Sequence, residues 1–238
     1  MIRKVLLGAL LVTAASAHAD YQCSVNPRDD VVINPQSVQV VGENGNLVIA
    51  PDGSVKYNGV QKTLTAAQRQ QALNYQKALR TDLPWIDNGA RARVEKSRIA
   101  LDGIIAKQVG ESSSMRNRLT KLDAQLKEQM NRIIERRQDG LTFHYKAVDQ
   151  VRADGQQLVN QAMGGILQDS INEMGAQAVL KGGGNPLQNV LGNLGGLQTA
   201  VQNEWNNQEA DFQQFGKDVC GRVIALEQSR KALVSELK

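Results

Sequence analysis

The sequence predicts an α+β protein that is mostly α, with a small N-terminal antiparallel β-meander packed on a bundle of long amphipathic helices. Alternating apolar residues and Gly- or Asn-rich turns fill residues 20–64, a pattern typical of short strands. Residues 65–238 carry long runs with apolar residues at three- and four-residue steps, the period of a helix. Aromatic residues make up only 4% of the 238 residues, which favours helices over an aromatic-rich barrel.

The first 19 residues have the pattern of a secretory signal peptide. Basic residues near the start precede an apolar block, and small residues end the segment at Ala17-His18-Ala19. We therefore expect cleavage between Ala19 and Asp20, followed by export. No later apolar run approaches the roughly 18–20 residues that span a bilayer, so we expect no transmembrane segment after cleavage.

The two cysteines, Cys23 and Cys220, are expected to form a disulfide bond. Export places them in an oxidising compartment, where thiols pair. The bond would close a loop of nearly the whole mature chain, which is worth roughly 5 kcal/mol in a loop-entropy model. The alternative is two separate buried thiols. Pairing would tether an N-terminal strand to the last helix.

Residues 23–64 are expected to form three or four short antiparallel strands. A sheet this small is marginally stable alone, so one face should pack on the helices that follow. Tight turns should separate the strands, because Pro, Asp, Asn and Gly favour chain reversal. The turn sequences are Pro51-Asp52-Gly53-Ser54 and Asn58-Gly59.

The first helix is expected to begin after Thr65. Its hydroxyl can accept a backbone N–H bond, and Gln68 stands three residues later, as in a capping box. Pro84 interrupts the apolar pattern, and we expect it to begin a new helix rather than lie within one.

The segment 90–138 has the clearest helical period, with a coiled-coil-like apolar seam. Gly110 and the serines at 112–114 indicate a break within it. Asp139-Gly140 is predicted to turn the chain between two antiparallel helices.

Two further helices are expected over about 141–181 and 197–237, joined by the glycine-rich segment 182–196. This segment carries no charge and is longer than a bundle connection usually needs. It is either a plain loop, a hinge, or a surface that contacts a membrane or a partner. The candidate contact residues are Leu187, Leu191 and Leu194.

Charge gives no indication of nucleic-acid binding. The formal net charge is +4, and loss of Arg3 and Lys4 with the signal peptide lowers it to +2. A nearly balanced chain lacks the basic footprint that phosphate backbones require.

No catalytic residue, metal site or cofactor is predicted. The mature chain keeps one histidine, His144, because His18 lies in the signal peptide. A lone histidine cannot build a multi-histidine metal site, and paired cysteines leave none for zinc. Common nucleophile, metal-protease and nucleotide motifs are missing. A hydrolase built on neighbouring carboxylates, such as Asp82 with Asp87, is the enzymatic alternative.

The N-terminal third resembles a known family. The string VQVVGENGNLVIAPDGSVKYNG at 38–59, followed by LTAAQRQQALNYQKALRTDLP at 64–84, is similar to the YggN-like periplasmic proteins of Gram-negative bacteria, which carry a domain of unknown function. The resemblance implies a periplasmic location and brings no catalytic residue or substrate with it.

These observations together predict a non-enzymatic periplasmic protein. Its long helices would form a binding or structural surface for an unknown envelope protein. A membrane-surface or lipid-binding factor that uses segment 182–196 is a second hypothesis, and the carboxylate hydrolase is a third.

Overall fold

The computed structural model describes residues 23–180 and 186–237. Within these ranges the chain forms seven strands and four helices, which confirms an α+β fold that is mostly α. The predicted signal peptide and its cleavage site at Ala19-Asp20 lie outside the described residues.

The strands of the described chain form one antiparallel sheet. Five of these strands follow one another along the chain within residues 29–61, where three or four were predicted. In spatial order the sheet runs β5-β4-β3-β2-β1-β7-β6. The strands are β1 Asp29–Asn34, β2 Ser37–Gly42, β3 Gly45–Ile49, β4 Val55–Tyr57, β5 Val60–Gln61, β6 Ile134–Arg137 and β7 Gly140–Phe143.

The predicted Asn-Gly turn joins β4 to β5. Asn58 has φ 50° and Gly59 has φ 80°, and two successive positive φ angles define the primed turn that suits the twist of a hairpin. The Asn58 side chain also accepts the backbone N–H of Asn46 at 2.8 Å, which ties this turn to β3.

The prediction that Asp139-Gly140 joins two helices is wrong. These residues turn the β6–β7 hairpin, and β7 pairs with β1, placing Phe143 opposite Val31. Gly140 has φ 154°, and a Cβ there would stand 1.8 Å from the carbonyl oxygen of Ile33. A chain segment that begins at Ile134, 73 residues after β5 ends at Gln61, therefore extends the same sheet.

The four helices of the described chain are α1 Ala66–Gln108, α2 Ser114–Ile133, α3 Ala147–Leu180 and α4 Pro186–Leu237. Thr65 and Gln68 form the predicted capping box at the start of α1. The prediction that Pro84 begins a helix is wrong, because Pro84 lies inside α1. Buried Leu83 and Asp87 flank it, and tertiary packing of this kind outweighs the roughly 3 kcal/mol that an interior proline costs.

The predicted break after α1 is confirmed. Gly110 has φ 125°, and the Ser113 hydroxyl accepts the Met115 backbone N–H at 3.2 Å to cap α2. Helix α4 begins at Pro186, eleven residues earlier than expected, so the backbone of 186–196 is helical rather than a loop. Residues 181–185 lie outside the described residues.

The helices form an antiparallel four-helix bundle. Lys127 of α2 donates to Glu95 of α1 at 2.6 Å, and Arg118 of α2 binds Asp169 of α3 at 2.8 Å. Helices α1 and α4 run the length of the bundle, roughly 65 and 80 Å at 1.5 Å per residue.

The described residues form two hydrophobic cores, at opposite ends of these long helices. The first lies between the inner face of the sheet, the start of α1 and the end of α4, and includes Val38, Ile49, Leu79 and Leu233. The second lies where all four helices meet, and includes Ile105, Met115, Ile166 and Leu197. The sheet is thus packed on one end of the bundle, as predicted.

Candidate interaction surface

A disulfide bond joins the start of the described chain to the middle of α4. Cys23 and Cys220 are bonded, with their Cα atoms 5.6 Å apart across 197 positions of sequence. Cys220 is buried. The segment that leads into β1 is therefore attached covalently to the last helix.

Next to this bond, an aromatic pair packs α1 against α4. The ring centroids of Trp85 and Phe215 are 5.3 Å apart at an interplanar angle of 39°. Gly89 of α1 provides the space for Phe215, since a Cβ on Gly89 would stand 2.5 Å from the ring. The missing side chain lets the helices approach closely.

Two arginines cover the aromatic pair. The guanidinium carbons of Arg93 and Arg222 lie 4.0 Å from the ring centroids of Phe215 and Trp85, respectively, within the range of a cation–π contact. Each arginine also binds a carboxylate of the opposite helix. Arg93 binds Asp211 at 2.8 Å, and Arg222 binds Asp82. We call this group of residues and the disulfide the α1–α4 seam.

Two large aromatic side chains of α4 are exposed, Phe212 within the stretch that forms the seam and Trp205 closer to the start of the helix. Phe212 is 38% exposed and Trp205 is 54% exposed. They are seven residues apart, about two helical turns, so they lie on one face of α4. We call Trp205 and Phe212 the aromatic face. Their heptad-like spacing with the other apolar residues of this helix predicts that both face inward, but the bundle leaves them partly uncovered.

The residues that the sequence singled out elsewhere fall in different places. The side chains of Leu187, Leu191 and Leu194 lie outside the described residues, although their backbone belongs to α4. Asp82 binds Arg222, and buried Asp87 accepts bonds from Arg91 at 2.8 Å and Arg136 at 2.5 Å. Both carboxylates of the proposed hydrolase pair are therefore occupied by guanidinium groups.

His144 lies at an open groove of about 660 Å³ between α2, the β6–β7 hairpin and the start of α3. Its Nδ1 is 3.7 Å from Asp30 Oδ2, and its Nε2 is 3.4 Å from Glu135 Oε2. The Tyr145 backbone N–H donates to Asp30 at 3.0 Å, which fixes that carboxylate. Glu128, Arg132 and Lys146 also line this groove, which we call the His144 groove.

The sequence did not reveal the His144 groove because the β6–β7 hairpin was not predicted. That hairpin brings Glu135 and His144 beside Asp30 of β1.

Among the described residues, no group of three or more His, Cys, Asp or Glu side chains is placed to hold a metal ion. None of the helices in the described ranges combines the length and apolarity needed to cross a membrane.

The fold and the seam define a class of protein in which an antiparallel sheet caps a four-helix bundle and a disulfide ties the segment before the first strand to α4. The chain belongs to the family described as "Protein of unknown function (DUF2884)", whose model matches residues 23–238. This match, together with the relatives named next, confirms the resemblance to YggN-like proteins.

Three curated relatives are each called "Uncharacterized protein YggN". They come from Escherichia coli strain K12, strain O6:H1 and strain O157:H7. Each is 76% identical to this chain over 239 residues, covering 100% of both sequences. No solved structure matches the chain.

Proposed function

We propose that this protein is exported to the periplasm, where it has a non-enzymatic role and binds another envelope protein through the aromatic face of α4. The observation that carries the proposal is the exposure of Trp205 and Phe212 on one side of a long helix. Trp is enriched among the residues that dominate binding energy at protein interfaces. Exposed large apolar side chains that share a face are a recognised sign of such a surface.

The rigidity of α4 supports the same role. The seam holds the helix through stacked aromatic rings, two cation–π contacts and the Cys23–Cys220 bond. A helix that is already ordered before it meets a partner loses little conformational entropy on binding. The aromatic face is thus presented on a preorganised support.

Periplasmic location rests on two further observations. The first 19 residues match a signal peptide, and a disulfide is typical of a protein that folds in an oxidising compartment. Occupation of Asp82 and Asp87 by arginines supports the non-enzymatic role, because neither carboxylate is available as a simple acid or base.

Site-specific photocrosslinking in living cells tests the proposal. A photoreactive amino acid replaces Phe212, and a matched variant carries it at Lys217. Lys217 is exposed on the same helix, about 140° around its axis from Phe212. We expect one reproducible protein adduct from position 212 and none from 217.

Three results would contradict the proposal: equal adducts from both positions, no protein adduct, or crosslinks to lipid only. Flotation of the purified mature protein with phosphatidylglycerol–phosphatidylethanolamine vesicles examines the lipid hypothesis separately. Co-flotation that survives Phe212→Ala would assign membrane contact to another part of the chain.

A further inference from the structure

We infer that the His144 groove binds a short zwitterionic peptide, one with a free amino group and a free carboxylate. This ligand site is separate from the aromatic face, and its volume of about 660 Å³ lies within the range of small-ligand pockets. Some charged groups of the groove already form ion pairs within the protein and others do not, and the charges without a partner indicate which charges the ligand carries.

Most charges of the groove are satisfied by the protein. Arg132 binds Asp154 at 2.5 Å, and His144 lies between Asp30 and Glu135. These groups form a fixed wall, because each is held by a neighbouring element of the fold.

Two opposite charges of the groove have no ion-pair partner among the described residues. Glu128 of α2 and Lys146, which directly precedes α3, are both exposed. Lys146 Nζ lies 5.7 Å from the centroid of the Tyr145 ring. A ligand that carries an ammonium group for Glu128 and a carboxylate for Lys146 would complement both.

The remaining lining residues favour a peptide over other charged ligands. Gln150 supplies an amide group that can both donate to and accept from a peptide backbone. Asn131, whose Oδ1 accepts from Arg91 at 2.7 Å, supplies a side-chain N–H donor. Ala147 is the one apolar residue of the lining, so the groove offers little to a lipid chain. The cations disfavour a polyamine, and the carboxylates disfavour a simple anion.

His144 provides the readout. It is the one histidine left after the predicted cleavage, so its imidazole C–H signals report on this groove in an NMR spectrum of the mature chain. Tri-alanine is the probe, titrated into the mature protein with its disulfide intact. The controls are N-acetyl-tri-alanine, tri-alanine amide and the doubly blocked peptide.

We expect saturable shifts of the His144 signals with tri-alanine and at least tenfold weaker binding of the doubly blocked peptide. Glu128→Gln and Lys146→Gln should each weaken binding about three- to fivefold, as loss of an exposed ion pair does. Binding to Glu128→Gln should not weaken further when the amino group of the peptide is acetylated. Binding to Lys146→Gln should not weaken further when the carboxylate of the peptide is amidated. Glu236→Gln, at an exposed position on α4, should bind as the wild type does.

Equal binding of free and doubly blocked peptide would overturn the inference, as would the absence of any saturable shift. A response to spermidine as strong as that to tri-alanine would also overturn it, because it would show a simple cation site. None of these results depends on the crosslinking at Phe212, so the two proposals fail independently.

Discussion

Phe215 of α4 packs so closely on Gly89 of α1 that a Cβ on residue 89 would stand 2.5 Å from the ring carbon Cε2. The ring cannot easily move away, because Trp85 and Arg93 pack against it. Gly89→Ala should therefore lower the free energy of unfolding by roughly 1–3 kcal/mol, the usual cost of overpacking. Urea denaturation measures this change.

Gly103 of the same helix is the matched control. A Cβ there meets nothing within 4 Å, so Gly103→Ala should raise stability by about 0.5–1 kcal/mol through helix propensity alone. If Gly89→Ala stabilised the protein as much as Gly103→Ala, the close α1–α4 approach would be excluded.

The second prediction concerns a buried charge cluster that ties the end of α4 to β1. Arg230 Nε lies 3.4 Å from Asp29 Oδ2, Arg230 Nη2 lies 2.6 Å from Glu227, and Arg230 and Asp29 are buried. Burial also raises the pKa of neighbouring Tyr75, which stays neutral. Arg230→Met should lower the free energy of unfolding by about 3–5 kcal/mol, because it leaves the Asp29 carboxylate buried without its cation.

Two variants test this interpretation. Asp29→Asn combined with Arg230→Met should restore part of the lost stability, because the buried Asp29 charge is then gone while Glu227 keeps its contact with Lys231. Lys231→Met alters an exposed neighbour that also contacts Glu227, and should change stability by no more than about 0.5 kcal/mol. No recovery in the double variant would argue against a charge pair.

The third prediction is a pH dependence that arises between α1 and α2. Hydrogen bonds from Arg98 and Lys127 lower the pKa of Glu95 from its ordinary 4.5 to about 2. A carboxyl whose pKa is lower in the folded state stabilises the fold above its ordinary pKa. That contribution is lost as the pH falls from about 4.5 to about 2.

Urea midpoints measured from pH 7 to pH 2 should therefore fall less steeply for Glu95→Gln than for the wild type below pH 4.5. Glu236→Gln serves as the exposed control and should retain the wild-type slope. If the urea midpoints of wild type and Glu95→Gln fell equally with pH, Glu95 would not be a source of the pH dependence.

The fourth prediction is that the disulfide contributes to stability. Cys23→Ser and Cys220→Ser should each lower Tm to the same extent as reductant does, because all three open the same loop of 197 positions. The loop-entropy model gives an upper value of about 5 kcal/mol. A wild-type Tm that reductant leaves unchanged would show that the bond contributes nothing.

Local signals in the sequence predicted the elements that depend on neighbours along the chain. The Thr65–Gln68 capping box and the Asn58-Gly59 turn depend on residues only a few positions apart, and both are present. The helix break at Gly110 followed from the same kind of pattern, whereas the packing of the meander on the helices followed from the marginal stability of so small a sheet.

Features set by distant contacts were not predictable in this way. Pro84 reads as a helix start, but packing on both sides keeps it inside α1. Asp139-Gly140 suits either a helix connection or a hairpin, and only pairing of β7 with β1 decides between them. The His144 groove depends on that pairing, so the candidate ligand site was not visible in the sequence.

The proposed function rests on two properties: the chain is exported, and a disulfide joins its start to α4. The most direct test of both is the intact mass of the protein isolated from the periplasm without reductant. We expect the mass of residues 20–238 less two hydrogens, and a proteolytic peptide pair linked through Cys23 and Cys220. A chain that retains Met1, or one with both thiols free, would contradict the proposed export and the covalent support of α4.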